Sequence, residues 1–270
     1  MNVRTMNFKN LNCLNVVINI LSGNLLPVTY DKTETRRILI IYASLVWSIQ
    51  IGFLFTCILG VFQVSKEKAL QDSTVNILVS LEVILLIGHM HNRKNLLCGL
   101  IEKLNSVLTV DNETLRNAVI KTVKPLEKPL KIYTIAAVSS VIVWTSMPLV
   151  KMFQKNQFTY EDYQVPAVMS KEPFSTNIFV IGVFFEAVAC GYVILKKTGL
   201  DVYTMHLILL TTAQYKYLRV KLMEIFRDDG GNIRYDYLKE LKSTSISRVD
   251  AVIVRNLLEY LYFSSFSFRR

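Results

Sequence analysis

Long apolar runs separated by clusters of basic residues set the pattern of this chain. A helix that crosses the ~30 Å hydrocarbon layer needs about 20 mostly apolar residues and must bond all its backbone polar groups internally. Four runs come up to that requirement, predicting spans at about residues 38–64, 74–90, 132–150 and 174–195. The first lies between Arg36-Arg37 and Lys66 and carries Tyr42 and Trp47 as candidate interfacial anchors. The second is short and holds Glu82 near its centre, so one side of it must face protein. The third, between Lys131 and Lys151, has no charge and a late Pro148; the fourth is broken only by Glu186 and is expected to stop at Lys196-Lys197. The fold class that follows is all-α, a polytopic transmembrane helical protein.

The flanks are read by the same rule. Val202 to Tyr215 is uncharged, but its 14 residues are too few for a crossing of their own. Leu200 to Phe226 is therefore expected to continue the fourth helix as a long cytosolic extension. Gly199 and the group Asp229, Gly230, Gly231 and Asn232 are the available breakers, the second group ending the helix. A further helical stretch is expected from about Ser247 to Phe268. Near the N-terminus, Leu11 to Leu26 is interrupted by Asn12, Asn15, Asn19 and Asn24, with no small-residue cleavage site, which argues against a secretory signal. Leu14, Val17, Ile18 and Leu21 fit a helix lying in the membrane surface. Three regions result: a cytosolic segment with this interfacial helix (1–37), a transmembrane helical domain (38–226) and a cytosolic segment (227–270).

Charge decides the expected orientation, because basic residues are retained on the cytoplasmic side. With the N-terminus in the cytosol, 26 Lys and Arg lie inside and 5 outside. The one glycosylation sequon, Asn112-Glu113-Thr114, then falls in a cytosolic loop and is expected to be unmodified. The formal net charge of +10 alone would admit nucleic acid as a partner. The basic residues punctuate apolar runs instead of gathering on a hydrophilic face, so no nucleic-acid partner is expected. With 51% hydrophobic residues and a mean hydropathy of +0.34, the chain is neither disordered nor an ordinary soluble domain. Cys13, Cys57, Cys98 and Cys190 show no paired spacing, which excludes a disulfide scaffold.

Catalytic chemistry is thinly supplied. There are three histidines (His89, His91, His206) and no Cys-x-x-Cys, phosphate loop or His-Glu-x-x-His, so no enzyme activity, metal or cofactor is expected. His89 and His91 are two apart and on a helix point to different faces. Glu82 and Glu186 stand out because ionisable groups inside a bilayer face a partner or a cavity. Each reads either as a structural polar contact between helices or as part of a ligand or water cavity. The aromatic and Met side chains Trp144, Met147, Phe179, Phe184 and Phe185 suit an apolar small-molecule pocket, and equally lipid contact or core packing. Tyr160 and Tyr163 in the third loop are candidates for an interfacial belt.

Two stretches are motif-like: Gly199-Leu200-Asp201, and the run Thr212-Ala213-Gln214-Tyr215-Lys216-Tyr217-Leu218-Arg219-Val220-Lys221-Leu222. Together with the order of spans they resemble the insect odorant receptors, seven-helix membrane proteins with a cytosolic N-terminus. In that family a Gly-x-Asp, then a Gln and two Leu at this separation, occupy the cytosolic extension of the fourth helix. The matching positions are Asp201, Gln214, Leu218 and Leu222. Where the family carries His four residues before the Gln, this chain has Leu210, with His206 a turn earlier. Gly23 to Pro27 resembles the family's stretch before the first helix, and His91 to Leu104 its basic segment after the second.

The resemblance implies a receptor subunit that binds small, apolar, volatile ligands and, with a co-receptor subunit in a hetero-oligomer, gates a cation channel. It implies placement in the plasma membrane of sensory neurons, in contact with membrane lipid. The ligand contacts expected are Trp144 and Met147 of the third span and Phe184 and Phe185 of the fourth, with Glu82 as the polar group. The family's last three helices build the inter-subunit anchor and the pore. Because this chain stops at Arg270, it is expected to be a shortened member without a pore helix. Other readings are a gustatory-type relative, a non-conducting membrane adaptor whose basic tail meets acidic lipid, and a transporter, although the two pairs of spans share no inverted pattern.

Overall fold

The computed structural model describes residues 7–27, 35–109, 112–168 and 171–227. The expected helix over Ser247 to Phe268 and the breaker at 229–232 lie outside them. The described chain is mostly helical, with one pair of two-residue strands. In order it comprises α1 (Phe8–Leu11), α2 (Cys13–Leu21), α3 (Thr35–Val61), α4 (Lys66–Lys68), a π turn (Ala69–Ser73), α5 (Thr74–Asn92), α6 (Lys94–Leu108) and α7 (Glu113–Ser146). A 3-10 segment (Met147–Phe153), β1 (Gln157–Phe158), a 3-10 turn (Tyr160–Asp162), β2 (Phe174–Ser175) and α8 (Thr176–Arg227) complete it.

Four helical stretches are long and apolar enough to cross a membrane: Arg37–Val61, Lys66–Asn92, Glu113–Phe153 and Thr176–Lys221. They coincide with the four expected spans and refine their limits. α3 is apolar all round, as expected for a helix that turns side chains to lipid as well as to protein. Ile38, Ile41 and Phe55 point outward, each more than 60% exposed. The second span begins earlier than its apolar run, because Lys68 and Asp72 form an i,i+4 ion pair at 3.1 Å that carries two charges through the first turns. α7 also begins early, at Glu113, where the Asn112 side chain caps it by accepting from the Thr114 and Leu115 N–H groups at 3.0 and 3.2 Å. The sequon asparagine is thus a helix cap. Pro148 cannot donate an N–H to the turn before it, and the α-helix gives way at Ser146 to the tighter segment.

The fourth span departs most from expectation. Phe174 and Ser175 are not helical; they pair antiparallel with Phe158 and Gln157. From Thr176 a single helix runs 52 residues to Arg227, passing through Gly199, which does not break it. The helix thus runs on past Lys196-Lys197 through 200–226, as the expected extension requires, and carries both lysines as buried residues.

The described residues fall into two compact units. One holds 7–11, 99–109, 112–127 and 204–227; the other holds 12–27, 35–98, 128–168 and 171–203. In the smaller unit, the Phe8 N–H donates to Asn105 Oδ1 (2.7 Å), Asn112 Nδ2 to the Tyr217 hydroxyl (3.1 Å) and Lys216 Nζ to Thr122 Oγ1 (3.1 Å).

In the larger unit, α2 reverses part of its expected role. Asn12, Asn15, Asn19 and Asn24 are buried, whereas Val17, Ile20 and Leu21 face outward. The set Leu14, Val17, Ile18 and Leu21 is therefore split, with Ile18 inside and Val17 and Leu21 outside. The reason is hydrogen bonding. The Asn19 amide donates to the Leu26 carbonyl at 2.8 Å and accepts from its N–H at 3.0 Å, closing a turn in which Gly23 has φ +67°. Asn24 Nδ2 then donates to the Lys196 carbonyl (3.1 Å), and the Tyr203 hydroxyl to that of Pro27 (2.8 Å). Gly199 makes this docking possible, since a Cβ there would stand 3.0 Å from Ile18 Cγ2 and 3.3 Å from Asn24 Nδ2.

The connection between α7 and α8 is packed rather than interfacial. Tyr160 and Tyr163, read as belt candidates, are buried with Phe158, Phe174 and Phe179; Phe158 stacks on Phe179 at 4.1 Å and 6°. Asp162 organises the start of this connection. Its Oδ2 accepts from the Thr159 N–H at 3.0 Å, while Oδ1 meets Lys155 Nζ at 2.6 Å and Lys151 Nζ at 3.4 Å. Burial pushes the Asp162 carboxyl up, but Lys155, the Thr159 N–H and Lys151 together outweigh it and hold the group below its ordinary range. A depressed folded-state value means that the connection is stabilised above the unfolded carboxylate value of about 4 and loses that support as pH falls through the lower folded value. Asp162→Asn should accordingly speed tryptic cleavage after Lys155 several-fold at pH 7.5. Acidification should loosen the wild-type connection only below about pH 4, as followed by hydrogen exchange; unchanged cleavage in the variant would show that the ion pairs carry no order.

Candidate functional site

Two groups of side chains inside the larger unit hold the chemistry. The first is an apolar cluster in which α3, α8 and the connecting loop meet: Phe53, Cys57, Val165, Ala167, Ala189 and Cys190 are buried, with Trp144, Phe185, Ile77 and Val141 packed against them. Phe53 and Phe185 meet edge to face at 6.0 Å. Val165 to Ala167 enter between helices because glycines make room. A Cβ at Gly60 would fall on the Pro166 carbonyl oxygen, and one at Gly182 on the Tyr163 hydroxyl, both inside any contact distance. Glu186 is wholly buried beside this loop and accepts the Val165 N–H through Oε1 at 2.7 Å. Asn76 of α5 reaches both thiols, donating to Cys57 Sγ at 3.7 Å and accepting from Cys190 Sγ at 3.8 Å.

The second group surrounds the paired lysines of α8. Lys196 is fully buried, donates to Gln50 Oε1 at 2.6 Å and lies 3.4 Å from the centroid of the Trp47 ring. Lys197 bonds Glu82 Oε1 at 2.7 Å and approaches Asp201 Oδ1 at 3.6 Å, one helical turn along. Tyr133 of α7 donates to Asp201 Oδ2 at 2.9 Å. Each ammonium has a counter-charge or π face within the protein, which is why both lysines are buried where the apolar run reads as ending. Trp47 and Tyr42, expected as interfacial anchors, instead bond the turn after α2, donating to the carbonyls of Gly23 (3.3 Å) and Leu21 (2.6 Å).

Of the expected ligand contacts, Trp144 and Phe185 come together in the apolar cluster. Met147 and Phe184 do not join them, being 58% and 70% exposed on the outer surface. Neighbouring residues on a helix are turned by about 100°, so Phe184 and Phe185 cannot share a face. Glu82 belongs to the lysine network and not to the aromatic group. Among the positions of the motif-like stretch, Asp201 joins that network, Gln214 and Leu218 are half-buried along α8, and Leu222 lies in α8 with its side chain outside the described set. Sequence reading missed Gln50, Asn76 and the two lysines. Polar residues at 3.6-residue phase with apolar neighbours on the first and second spans were the available signal. His89 and His91 are exposed on α5, and among the described residues no three or more His, Cys, Asp or Glu side chains are placed to hold a metal. No protein family, curated protein or solved structure matches this chain.

Proposed function

We propose that the chain is a receptor subunit of the odorant-receptor type, with its N-terminus in the cytosol, that binds small volatile ligands among its membrane-spanning helices. In this reading it sits in the plasma membrane of sensory neurons and gates a cation channel together with a co-receptor subunit. One observation carries the binding part: Trp144 of α7 and Phe185 of α8 converge with Phe53 of α3 on one apolar cluster that also holds a carboxyl and an amide. Such a combination of aromatic walls and a few convergent polar groups is what a small-ligand site requires. Two further features support the family reading. Gly199 and Asp201 each have a specific structural task, close docking of the turn after α2 and an ion pair to Lys197. The cytosolic orientation keeps its charge excess even when Lys196 and Lys197 are withdrawn from the inside count, leaving 24 basic residues there against 5.

The test is the partition of a panel of volatiles into nanodiscs containing the protein, read by headspace gas chromatography. Trp144→Ala should weaken binding of the bulkier members about tenfold, roughly 1.4 kcal/mol, and change the rank order while helical content is retained. An unchanged rank order would remove Trp144 from the binding surface, and no saturable uptake by the wild type would remove the receptor reading.

A further inference from the structure

Glu186 is a buried carboxyl of the larger unit with one oxygen left over. Its side chain is completely buried, Oε1 is held by the Val165 N–H, and Oε2 has no hydrogen-bond partner among the described residues. A buried carboxylate oxygen without a donor is costly, and its retention inside an apolar cluster calls for an occupant. Lys68 and the Gln164 backbone N–H also act on the Glu186 carboxyl from the same unit, and Lys68 is already engaged by Asp72 at 3.1 Å. The carboxyl is tied to the apolar cluster through Val165 and acts on the Cys57 and Cys190 thiols, which Asn76 bonds; Phe53 belongs to the same cluster, with Phe185 and Trp144 packed against it.

We propose that Glu186 Oε2 anchors the ammonium group of a small aliphatic amine, whose alkyl chain lies among Phe53, Phe185 and Trp144. The proposal rests on the receptor reading above and assigns its ligand class. An ammonium supplies a charge-assisted bond to Oε2, with N–H groups left for Asn76 Oδ1, and its charge is favoured over aromatic faces. An alcohol of the same length offers one donor and no charge. Because Oε1 keeps the Val165 N–H, the ligand binds without displacing the loop.

The experiment uses the full chain in nanodiscs with Trp47→Phe, which keeps an aromatic face for Lys196 and leaves Trp144 as the sole tryptophan. Butylammonium chloride should change Trp144 fluorescence saturably, and butanol should bind at least about tenfold more weakly. Glu186→Gln, which preserves the acceptor for Val165, should lose about tenfold or more in butylammonium affinity with unaltered circular dichroism. Equal affinity for butanol and butylammonium in the unmutated site overturns the proposal without any Glu186 variant, as does full affinity in Glu186→Gln. If butanol and short esters saturate the signal and butylammonium does not, the amine assignment fails while the receptor reading survives. If no probe saturates it, both fail.

Discussion

Glu82→Ala should be the most damaging single substitution among the described ion pairs. It removes the 2.7 Å partner of Lys197, a side chain about nine-tenths buried, and leaves the looser ion pair to Asp201 at 3.6 Å. Breaking one partner of a buried pair costs about 3–5 kcal/mol, because the remaining charge is stranded in a medium that solvates it poorly. Glu82 is itself 19% exposed, which places the expected loss near the lower end, about 3 kcal/mol. Glu82→Gln should lose less, since the amide oxygen still accepts from Lys197, and the reversal Glu82→Lys with Lys197→Glu should recover part of the loss. Unfolding by dodecyl sulfate in mixed micelles measures all three. A loss for Glu82→Ala below about 1 kcal/mol would place the pair with ordinary exposed ion pairs and would mean that water reaches Lys197.

Gly60→Ala should come second. The added Cβ falls on the Pro166 carbonyl, a backbone atom that cannot step aside as a flexible side chain would. Either α3 or the loop at 163–168 must retreat, and such overpacking costs about 1–3 kcal/mol. Retreat of the loop would also pull the Val165 N–H from Glu186, so tryptic cleavage at Lys155 should accelerate together with the loss of stability. Gly52→Ala provides the internal control: it lies in the same helix with nothing within 4 Å of the added carbon. It should be neutral or slightly stabilising, because alanine is the better helix former. Equal behaviour of the two variants would mean that the loop does not lie against α3 in the membrane.

The four membrane-length helices were legible because apolar run length alone sets them, independently of what each helix touches. The errors share one cause: a charged or amide side chain reads as a boundary in one dimension and as a bond in three. Lys196 and Lys197 look like the end of an apolar span until Gln50, Trp47 and Glu82 are seen beside them, from helices more than a hundred residues away in the chain, with Asp201 one turn along the same helix. The asparagines of α2 likewise read as interruptions of an apolar run, although they are the residues that dock the helix. For the aromatic residues, periodicity offered no choice between Phe184 and Phe185, since both faces of α8 are apolar. Trp144 and Phe185 were identifiable as aromatic residues of the right spans. Their meeting on one cluster with Val165 and Ala167 depends on a loop whose path no local pattern encodes.

The bonds of the segment before the first span also set a schedule for synthesis. Asn24 leaves the ribosome 172 residues before Lys196, whose carbonyl it bonds, and Pro27 precedes Tyr203 by 176. At about 5–20 residues per second, the donors and acceptors of this segment wait roughly 10–35 seconds for their partners. During that interval its asparagine face must be hydrated, while Val17, Ile20 and Leu21 offer an apolar strip that suits a bilayer surface. The same helix therefore has two successive environments, first with its amides open to water, then turned against α8 with those amides enclosed. Docking of this first-made segment waits until α8 has been made as far as Tyr203.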